Sequence, residues 1–468
     1  MTAVPSAPAT PSTRAATRFR RARLDAGVRT GSIAALWSSL LLVTYWWVAG
    51  GGIQDLTGWE TGLDSTGRLT GLVASDLLLA QVLLMARLPA LEHAFGQDRL
   101  AVLHRLVGFT SFNLMVAHVV LITWGYAAGD LLATPVTAWR LTLDYPGMLL
   151  AVAGSACLVM VVVTSVKAAR RRLRYESWHL LHLYAYLGVG LALPHQLWTG
   201  QELMSSTAAT VYWWGVWALA AGAVLVWRVG VPVWRNARHR LRVTSVVHEA
   251  DGIVSVYVTG HRLDRLRAEA GQFFGWRFLD RAGWTRANPY SLSAAPDGRS
   301  LRITAKDLGD GSAALRDLRP GTRVLVEGPF GRLSDRARTR RGVLLVGAGV
   351  GVTPLRALAE GLDYGPGEAV LLQRFTDTPL FERELAVLAR ERGLGVLFLP
   401  GRRRSPGSWL GDGMGTVDDL GALRHWVPDV AERDVYVCGP GPWVDSVRRT
   451  TEAAGVPADR FHVETFRW

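Results

Sequence analysis

Four histidines lie within two long apolar stretches of the chain, where ionisable side chains are rare. His104 and His118 are fourteen residues apart in the stretch 104–126, and His182 and His195 are thirteen apart in the stretch 177–197. At ~1.5 Å per helical residue, each spacing separates two imidazoles by roughly 20 Å along a helix. Two helices with histidines at matching depths can hold two flat cofactors stacked across a bilayer, because neutral imidazole is a common axial ligand of porphyrin iron.

A structural role is the alternative for any single histidine in such a stretch. On an ideal helix, His182 and His195 point about 140° apart, which does not suit two ligands on one face. Pro194 removes a helical hydrogen bond and Gly188 and Gly190 lie in the same stretch, so local distortion can bring both onto one side. Four histidines paired by depth favour iron ligation, whereas His179, one turn before His182, is interpreted as structural.

The overall composition indicates a protein that is part membrane-embedded and part soluble. Of 468 residues, 49% are hydrophobic and 19% are charged, and the net charge is +13. The basic residues mostly flank the apolar stretches, which is typical of topology signals, so we discount binding of nucleic acid. With only two cysteines, Cys157 and Cys438, neither a disulfide framework nor a cysteine metal site is expected.

Six apolar segments, each near the ~20 residues that a helix needs to cross a bilayer, precede residue 230. They are 32–50, 70–88, 104–126, 147–166, 177–197 and 209–229. Basic connections alternate with connections that hold almost no lysine or arginine, so the positive-inside rule predicts cytoplasmic termini in a multi-pass protein of the cell membrane. The segment 1–30, rich in Ala, Pro, Ser and Thr and then in Arg, is predicted to be a disordered basic N-terminus that is not cleaved.

The second half of the chain has a different texture. Short β-type runs between Gly, Pro and Asp turns extend to about residue 335, and strand–helix alternation follows from VLLVGAG onwards. The first pattern predicts a small antiparallel β-barrel, and the second predicts a doubly wound α/β domain. We therefore predict a multidomain membrane protein: an all-α bundle of six transmembrane helices at 31–232, a β-barrel at 238–336 and a nucleotide-binding domain at 340–468.

The histidine motifs resemble those of the ferric reductase and NADPH oxidase superfamily. The resemblance rests on H-x13-H in the third segment, on YESWHLLH at the start of the fifth and on H-x12-H within it. It continues through the second half and covers nearly everything after residue 30. It implies two b-type haems, an inner one on His104 and His182 and an outer one on His118 and His195.

Two further motifs resemble the flavin contacts of ferredoxin reductases, which implies FAD in the barrel. In RANPYSLS, at 286–293, the aromatic Tyr290 would stack on the isoalloxazine and Ser291 would hydrogen-bond its reactive edge. In LGDGSAAL, two glycines allow close backbone approach, and Ser312 would open a helix whose N-terminus favours a phosphate. By resemblance a terminal aromatic covers the flavin. The predicted FAD contacts are Asn288, Pro289, Tyr290, Ser291, Gly309, Gly311, Ser312, Phe466 and Trp468.

The last domain carries a glycine-rich turn, VLLVGAGVGVTP, in which the start of a helix can receive a pyrophosphate. CGPGPW, at 438–443, resembles the late motif of the family, which implies that Cys438 lies beside the nicotinamide. The second strand ends in Arg374 instead of an acid, and RRR follows at 402–404; both favour a 2′-phosphate, so we predict NADPH, with NADH as the alternative. The predicted contacts are Gly347, Gly349, Gly351, Thr353, Pro354, Arg374, Cys438, Gly439 and Pro440, with Ser291 and Cys438 as the catalytic residues.

The resemblance implies a transmembrane oxidoreductase that moves electrons from cytoplasmic NADPH through FAD and two haems to an acceptor across the membrane, such as a ferric chelate, a quinone or oxygen. Three rival hypotheses are a membrane-anchored flavin reductase without haem, a superoxide-generating NADPH oxidase and a non-catalytic redox sensor. The oxidase branch commonly has another histidine one turn after its outer third-span ligand. Ile122 stands there in this chain, which disfavours oxygen.

Overall fold

The computed structural model describes residues 13–166, 170, 175–279 and 284–464. The chain divides into two compact units, Val28–Val231 and Met1–Gly27 with Pro232–Trp468. The first unit is helical. The second contains two antiparallel sheets and one parallel sheet.

The helical unit follows the predicted apolar segments, with extended ends. Its helices are α1 (Thr13–Ala49), α2 (Trp59–Met85), α3 (Pro89–Phe95), α4 (Gln97–Tyr126), α5 (Thr134–Asp144), α6 (Met148–Ser165), α7 (Tyr175–Thr199) and α8 (Thr207–Ala223). A π-helical segment, Val224–Gly230, leads from α8 into α9 (Val231–His239). Helix α2 begins well before the predicted residue 70, since its polar first turns are stabilised by the i,i+4 ion pair of Asp64 with Arg68.

Five helical stretches in the described part of the chain are long and apolar enough to cross a membrane. They are Arg23–Ala49, Trp59–Met85, Gln97–Tyr126, Met148–Ser165 and Thr207–His239. They correspond to the first four predicted segments and the sixth. The fifth segment forms α7, a helix of 25 residues; it is not one of the five, so the sixth span stays a prediction.

Glycines bring the helices of this unit into close contact in pairs. A Cβ built on Gly154 of α6 would lie 2.7 Å from the carbonyl oxygen of Gly188 in α7, and a Cβ on Gly188 would lie 2.8 Å from that of Gly154. A Cβ on Gly67 of α2 would lie 3.0 Å from the backbone nitrogen of Ile122 in α4. The hydrophobic effect does not drive helices together in lipid, because lipid tails are as apolar as the side chains. Close backbone packing at small residues therefore stabilises such helix pairs. It fixes α4 against α2 and α7 against α6.

The predicted disorder of the N-terminus is wrong from Thr13 onwards, because α1 begins there; residues 1–12 lie outside the described part. The stretch after Pro11 contains no proline and is rich in arginine and alanine, which favour helix strongly. The side chain of Asp25 accepts hydrogen bonds from Nη2 of Arg336 at 2.6 Å and from Nε at 3.2 Å. Composition alone predicted a disordered segment, but this bidentate pair holds the helix.

Six strands form the region of the predicted barrel: β1 (Arg242–Ala250), β2 (Ile253–Thr259), β3 (Phe273–Phe278), β4 (Asn288–Ser291), β5 (Ser300–Lys306) and β6 (Val324–Phe330). They make two antiparallel sheets, β1-β2-β5 and β4-β3-β6. Isolated bridges between Arg242 and Arg323 and between Leu292 and Ile303 connect the sheets. Alternate residues such as Val256, Val258, Phe274 and Trp276 fill one core. Complete closure into a barrel stays a prediction.

The C-terminal region is a parallel sheet with the strand order β11-β10-β7-β8-β9. Its strands are β7 (Val343–Ala348), β8 (Ala369–Phe375), β9 (Gly395–Pro400), β10 (Asp434–Cys438) and β11 (Phe461–Glu464). The helices that pack on this sheet are α11 (Val352–Gly361), α12 (Glu382–Arg392), α13 (Asp419–Trp426) and α14 (Gly441–Ala453). The short helix α10 (Asp310–Ala313) comes earlier in the chain, between β5 and β6. Leu345 packs with residues of α11 and α12, and Leu344 packs with residues of α13 and α14. Helices therefore cover both faces, as in the doubly wound fold predicted from the alternation of strands and helices.

Candidate functional site

Helices α4 and α7 bring the four predicted histidines into two facing pairs. The ring centroids of His104 and His182 are 6.1 Å apart, and those of His118 and His195 are 6.3 Å apart. An imidazole–metal bond is about 2 Å long, so rings at this separation leave room for one metal ion between them. Pro194 lies inside α7 directly before His195. Its missing N–H permits the departure from ideal helix geometry that the pairing requires.

The Nδ1 atom of each of these histidines has an oxygen partner. In the outer pair, His118 Nδ1 lies 2.8 Å from the carbonyl oxygen of Gly67 and His195 Nδ1 lies 2.8 Å from Oγ1 of Thr199. In the inner pair, His104 Nδ1 is 3.3 Å from the carbonyl oxygen of Gln81, and His182 Nδ1 is 3.3 Å from Oγ of Ser165. Within the described residues, none of the four Nε2 atoms takes part in a hydrogen bond.

These contacts determine the tautomer of three rings. A carbonyl oxygen can only accept, so Nδ1 of His104 and of His118 must carry the proton. The hydroxyl of Thr199 already donates to the carbonyl oxygen of His195, at 2.7 Å, so it accepts from Nδ1 of the same residue. Each ring then offers the lone pair of Nε2, which is the state of a histidine that ligates a metal while its other nitrogen is hydrogen-bonded.

The sequence analysis missed these partner oxygens. Thr199 could have been found, because it follows His195 by four residues, a spacing that places two side chains on the same helical face. Ser165 lies on α6, and the carbonyl groups of Gly67 and Gln81 belong to α2. Contacts between different helices cannot be inferred from the local sequence, so the hydroxyl of Ser165 and these two carbonyl groups could be identified only in the structure.

Space for the imidazole of His118 depends on a glycine in α2. A Cβ built on Gly71 would lie 2.5 Å from Nδ1 of His118 and 2.8 Å from Cε1. Residue 71 must therefore lack a side chain for the His118 ring to reach the carbonyl group of Gly67.

In the strand-rich unit, β4 presents the predicted flavin contacts. Ser291 is 4% exposed, and its hydroxyl has no hydrogen-bond partner among the described residues. A buried hydroxyl without a partner costs free energy, so a bound group with a hydrogen-bonding edge, such as the isoalloxazine of FAD, fits here. Strand pairing with β3 and a hydrogen bond from Nε1 of Trp276 to the carbonyl oxygen of Tyr290, at 3.0 Å, hold the strand in place.

The second predicted phosphate loop lies beside β4. A Cβ on Gly311 would lie 2.9 Å from Oδ1 of Asn288, so the two predicted flavin motifs meet. The helix there begins at Asp310 with Gly309 as its N-cap, instead of at Ser312. The Ser312 hydroxyl makes two local hydrogen bonds that stabilise this turn. It donates to the carbonyl oxygen of Gly309 at 2.9 Å and accepts from the backbone nitrogen of Leu308 at 2.8 Å.

The predicted nucleotide motifs meet at the carboxyl ends of β7 and β10. These strands are neighbours, and Gly347 pairs with Cys438. The connections after them lead to opposite faces of the sheet, so this is the switch point at which doubly wound folds bind nucleotides. Gly349 has φ +54°, and a Cβ built on it would meet no atom within 4 Å, which leaves the turn open to a ligand. A Cβ on Gly351 would collide with the carbonyl oxygen of Cys438.

The other predicted nucleotide residues surround this point. Thr353 and Pro354 lie in the first turn of α11, and the hydroxyl of Thr353 donates to the carbonyl oxygen of Val350. After β10, Gly439 packs against the ring of Trp443, and Pro440 is the N-cap of α14. These residues shape the turns that follow β7 and β10.

Arg374 lies at the carboxyl end of β8, as predicted, and pairs with Ala348 at the end of β7. Its Nη1 donates to the carbonyl oxygen of Gly401 at 3.1 Å, whereas its buried Nε has no partner among the described residues. Burial, together with the nearby Arg403, lowers the pKa of Arg374. A bound anion would give Nε of Arg374 a partner and would offset the repulsion between Arg374 and Arg403.

The run RRR at 402–404 has mixed roles. Arg403 donates to Ser446 Oγ at 2.7 Å and to the carbonyl oxygen of Ser408 at 2.7 Å. Arg404 pairs with Asp419 at 3.2 Å. These two arginines hold the loop after β9, and Arg402 is exposed.

Cys438 is fully buried at the end of β10, and it pairs with Glu464 on β11. Burial raises the pKa of the Cys438 thiol well above its ordinary value, and the carboxyl group of Glu464 acts in the same direction. The thiol is therefore neutral at physiological pH. The predicted flavin covers, Phe466 and Trp468, lie outside the described residues.

Comparison with known proteins assigns the two halves. Residues 70–193, which contain His104, His118 and His182 and end two residues before His195, match the family described as "Ferric reductase like transmembrane component". The chain is 34% identical over 246 residues to the ferredoxin reductase component of 3-ketosteroid-9-alpha-monooxygenase from Mycolicibacterium smegmatis, and 35% identical over 207 residues to the ferredoxin–NAD(+) reductase component of the alkene monooxygenase system of Xanthobacter autotrophicus. The chain joins a ferric-reductase-like membrane domain to a ferredoxin-reductase-like module.

The similarity of this ferric-reductase-like fusion to the two relatives is partial. It covers 48% of the chain and 65% of the Mycolicibacterium protein, and 42% of the chain and 61% of the Xanthobacter protein. Among solved structures, the FAD/NAD-binding domain of nitric oxide dioxygenase from Vibrio cholerae has a TM-score of 0.37 at 23% identity, over 48% of this chain and 98% of that one.

Proposed function

We propose that the protein is a transmembrane oxidoreductase that carries electrons from cytoplasmic NADPH, through FAD and two b-type haems, to an acceptor on the opposite side of the membrane. The observation that carries the proposal is the pair of facing histidine couples, with ring centroids about 6 Å apart and every Nδ1 engaged by an oxygen. Histidines with purely structural roles have no reason to lie in two facing couples whose Nε2 atoms make no hydrogen bond among the described residues.

In this proposal His104 and His182 hold the inner haem, and His118 and His195 hold the outer one. Bound haem iron supplies a carrier of single electrons. The chain supplies the orientation of the rings, because the oxygens at Nδ1 prevent rotation and make Nε2 more basic. The close glycine contacts between α2 and α4 and between α6 and α7 keep the histidine-bearing helices at fixed distances.

The soluble module would receive hydride from the nicotinamide, and bound FAD supplies the conversion between a hydride and single electrons. Ser291 would direct its buried hydroxyl at the reactive edge of the flavin, and Tyr290 would stack on the ring. The neutral thiol of Cys438 would pack beside the nicotinamide as an apolar surface. The name of the Xanthobacter relative includes NAD(+), whereas Arg374 favours NADPH.

A second candidate function is a membrane-anchored reductase without haem, which supplies electrons to a monooxygenase in the cytoplasm. The names of the curated relatives, which are reductase components of monooxygenases, favour it. Protein purified with its flavin decides between the two. A Soret band that shifts when NADPH is added without oxygen supports transmembrane transfer, whereas full flavin content without a Soret band supports the anchor. Inside-out vesicles, and not right-side-out ones, should respond to added NADPH if the module is cytoplasmic.

Replacement of Gly71 by alanine is expected to remove the outer haem and leave the inner one. The new methyl group would overlap the His118 ring, since its position is 2.5 Å from Nδ1. Haem per flavin should fall from about two to about one in the purified variant. Gly215→Ala is the matched control, because a Cβ there meets no atom within 4 Å. Full haem content in Gly71→Ala would contradict the assigned position of His118.

The acceptor is expected to be a ferric chelate or a quinone more than oxygen. Ile122 follows His118 by one turn, and its side chain lies against Gly67 of α2, so this side of the outer pair is apolar. Membranes supplied with NADPH should reduce an added ferric chelate at a rate that superoxide dismutase does not change. Loss of ferric reduction on addition of the dismutase would identify oxygen as the acceptor.

A further inference from the structure

A buried carboxyl group lies inside the membrane domain, away from the histidines. Asp76 belongs to α2 within the candidate span Trp59–Met85, and it is 2% exposed. Ser39 Oγ lies 2.6 and 2.7 Å from its two carboxyl oxygens, and the hydroxyl of Tyr212 lies 2.8 Å from Oδ1. The hydroxyls of Ser39 and Tyr212 are themselves 2.5 Å apart. Three polar groups from α1, α2 and α8 therefore form a closed ring.

The number of protons in this ring determines the charge of Asp76. The ring consists of three pairs of residues, and each pair needs at least one proton between its members; Asp76 and Ser39 form one pair, although Ser39 Oγ is close to both carboxyl oxygens. The hydroxyls of Ser39 and Tyr212 supply one each, because a hydroxyl has a single hydrogen. If Asp76 were ionised, both hydroxyls would donate to it and their mutual contact would have no proton. If Asp76 is a neutral acid, its Oδ2 donates to Ser39, Ser39 donates to Tyr212, and Tyr212 donates to Oδ1, so that each of the three pairs shares one proton.

The surroundings favour the same state. Among the described residues, no basic side chain forms an ion pair with Asp76. Buried apolar side chains of the same helix, Leu72 and Leu79, and Trp213 of α8 belong to the core around the ring. An isolated charge in such a medium costs far more than a neutral acid that is fully hydrogen-bonded.

The position of Asp76 along α2 is also informative. Gly71 lies against His118, and the carbonyl group of Gln81 contacts His104. Asp76 is five residues from each, or roughly 7.5 Å along the helix axis. The acid is thus halfway between the levels of the two histidine pairs, where an ionised group would act on both.

We propose that Asp76 is a proton-binding site in the middle of the membrane domain, which holds its proton at neutral pH in a ring with Ser39 and Tyr212. The ring joins α1, α2 and α8 without placing a charge between the two histidine pairs. The inference concerns the protein chain alone and does not require that haem is bound.

Infrared difference spectroscopy between the wild-type protein and Asp76→Asn tests the protonation state directly. We expect the wild type to contribute a carbonyl band of a protonated carboxylic acid at pH 7, which the variant lacks. Carboxylate bands in its place would overturn the proposal. Asparagine can donate to Ser39 and accept from Tyr212, so the variant should fold with a nearly unchanged melting temperature. Failure of Asp76→Asn to fold would also count against a neutral acid, because the amide reproduces all three contacts.

Two further variants separate the ring from nonspecific effects of substitution. Ser39→Ala and Tyr212→Phe each remove one proton of the ring, so each should shift the frequency of the acid band and lower the melting temperature. Ser38→Ala and Tyr184→Phe, which alter exposed side chains, are the matched controls and should change neither. An acid band unaffected by Ser39→Ala and by Tyr212→Phe would show that the proton is not held in the ring.

Discussion

Replacement of His118 or His195 by alanine is expected to remove one of two haems and to abolish electron delivery across the membrane. Each substitution deletes a proposed axial ligand of the outer haem, while His104 and His182 lie on other turns of the same helices and keep their own partners. The reduced-minus-oxidised spectrum of the purified variant should have about half the wild-type haem amplitude per flavin. NADPH should still reduce the haem that remains.

His179→Ala is the matched control, since it removes an imidazole from the same helix, α7, one turn from His182. It should retain both haems. If it loses one while His195→Ala retains two, the ligand pairs assigned from the ring geometry are wrong. If both His118→Ala and His195→Ala lose all haem, the two sites are not independent.

Arg374→Ala is expected to raise the KM for NADPH roughly 10- to 150-fold and to leave the KM for NADH almost unchanged. A charge-assisted hydrogen bond contributes about 1.5–3 kcal/mol, and about 1.4 kcal/mol corresponds to a factor of ten. The buried Nε of Arg374, which has no partner among the described residues, would meet the 2′-phosphate. Steady-state kinetics with both nucleotides and one fixed acceptor measure the two constants.

Arg402→Ala serves as the control, because this exposed side chain belongs to the same basic run. It should change neither constant by more than a small factor. Equal losses for NADPH and NADH in Arg374→Ala would show that Arg374 supports the fold of the cleft and does not recognise the 2′-phosphate. The preference for NADPH would then have to come from other residues or be absent.

The histidine pairs could be predicted from spacing because helical rise is nearly constant, so matching separations give matching depths. The azimuth of His195 could not be predicted, since it depends on how α7 bends at Pro194 and on how closely Gly188 approaches Gly154. The meeting of the two predicted nucleotide motifs could be predicted for a similar reason. Glycines at the end of β7 and the CGP turn at the end of β10 meet wherever two parallel strands are adjacent.

Errors arose where local composition was read without tertiary contacts. The composition of the N-terminal stretch predicted disorder, but the structure has a helix from Thr13 onwards, in which Asp25 pairs with Arg336. The run 402–404 resembles a phosphate site, but Arg403 and Arg404 are used to hold a loop. In both cases the deciding partner is distant in sequence, and charge by itself does not reveal which anion an arginine will meet.

The oxygens at Nδ1 differ in how far mutation can alter them. Both histidines of α4 donate from Nδ1 to backbone carbonyl groups, those of Gln81 and Gly67, and every side-chain replacement preserves these groups. The Nδ1 atoms of both histidines of α7 contact hydroxyls, those of Ser165 and Thr199, which a single substitution can remove or replace. Each pair thus combines one invariant support with one adjustable support. Substitutions at Ser165 and Thr199 therefore offer separate controls over the basicity of the inner and the outer ligand, which evolution or an engineer can set without touching a histidine.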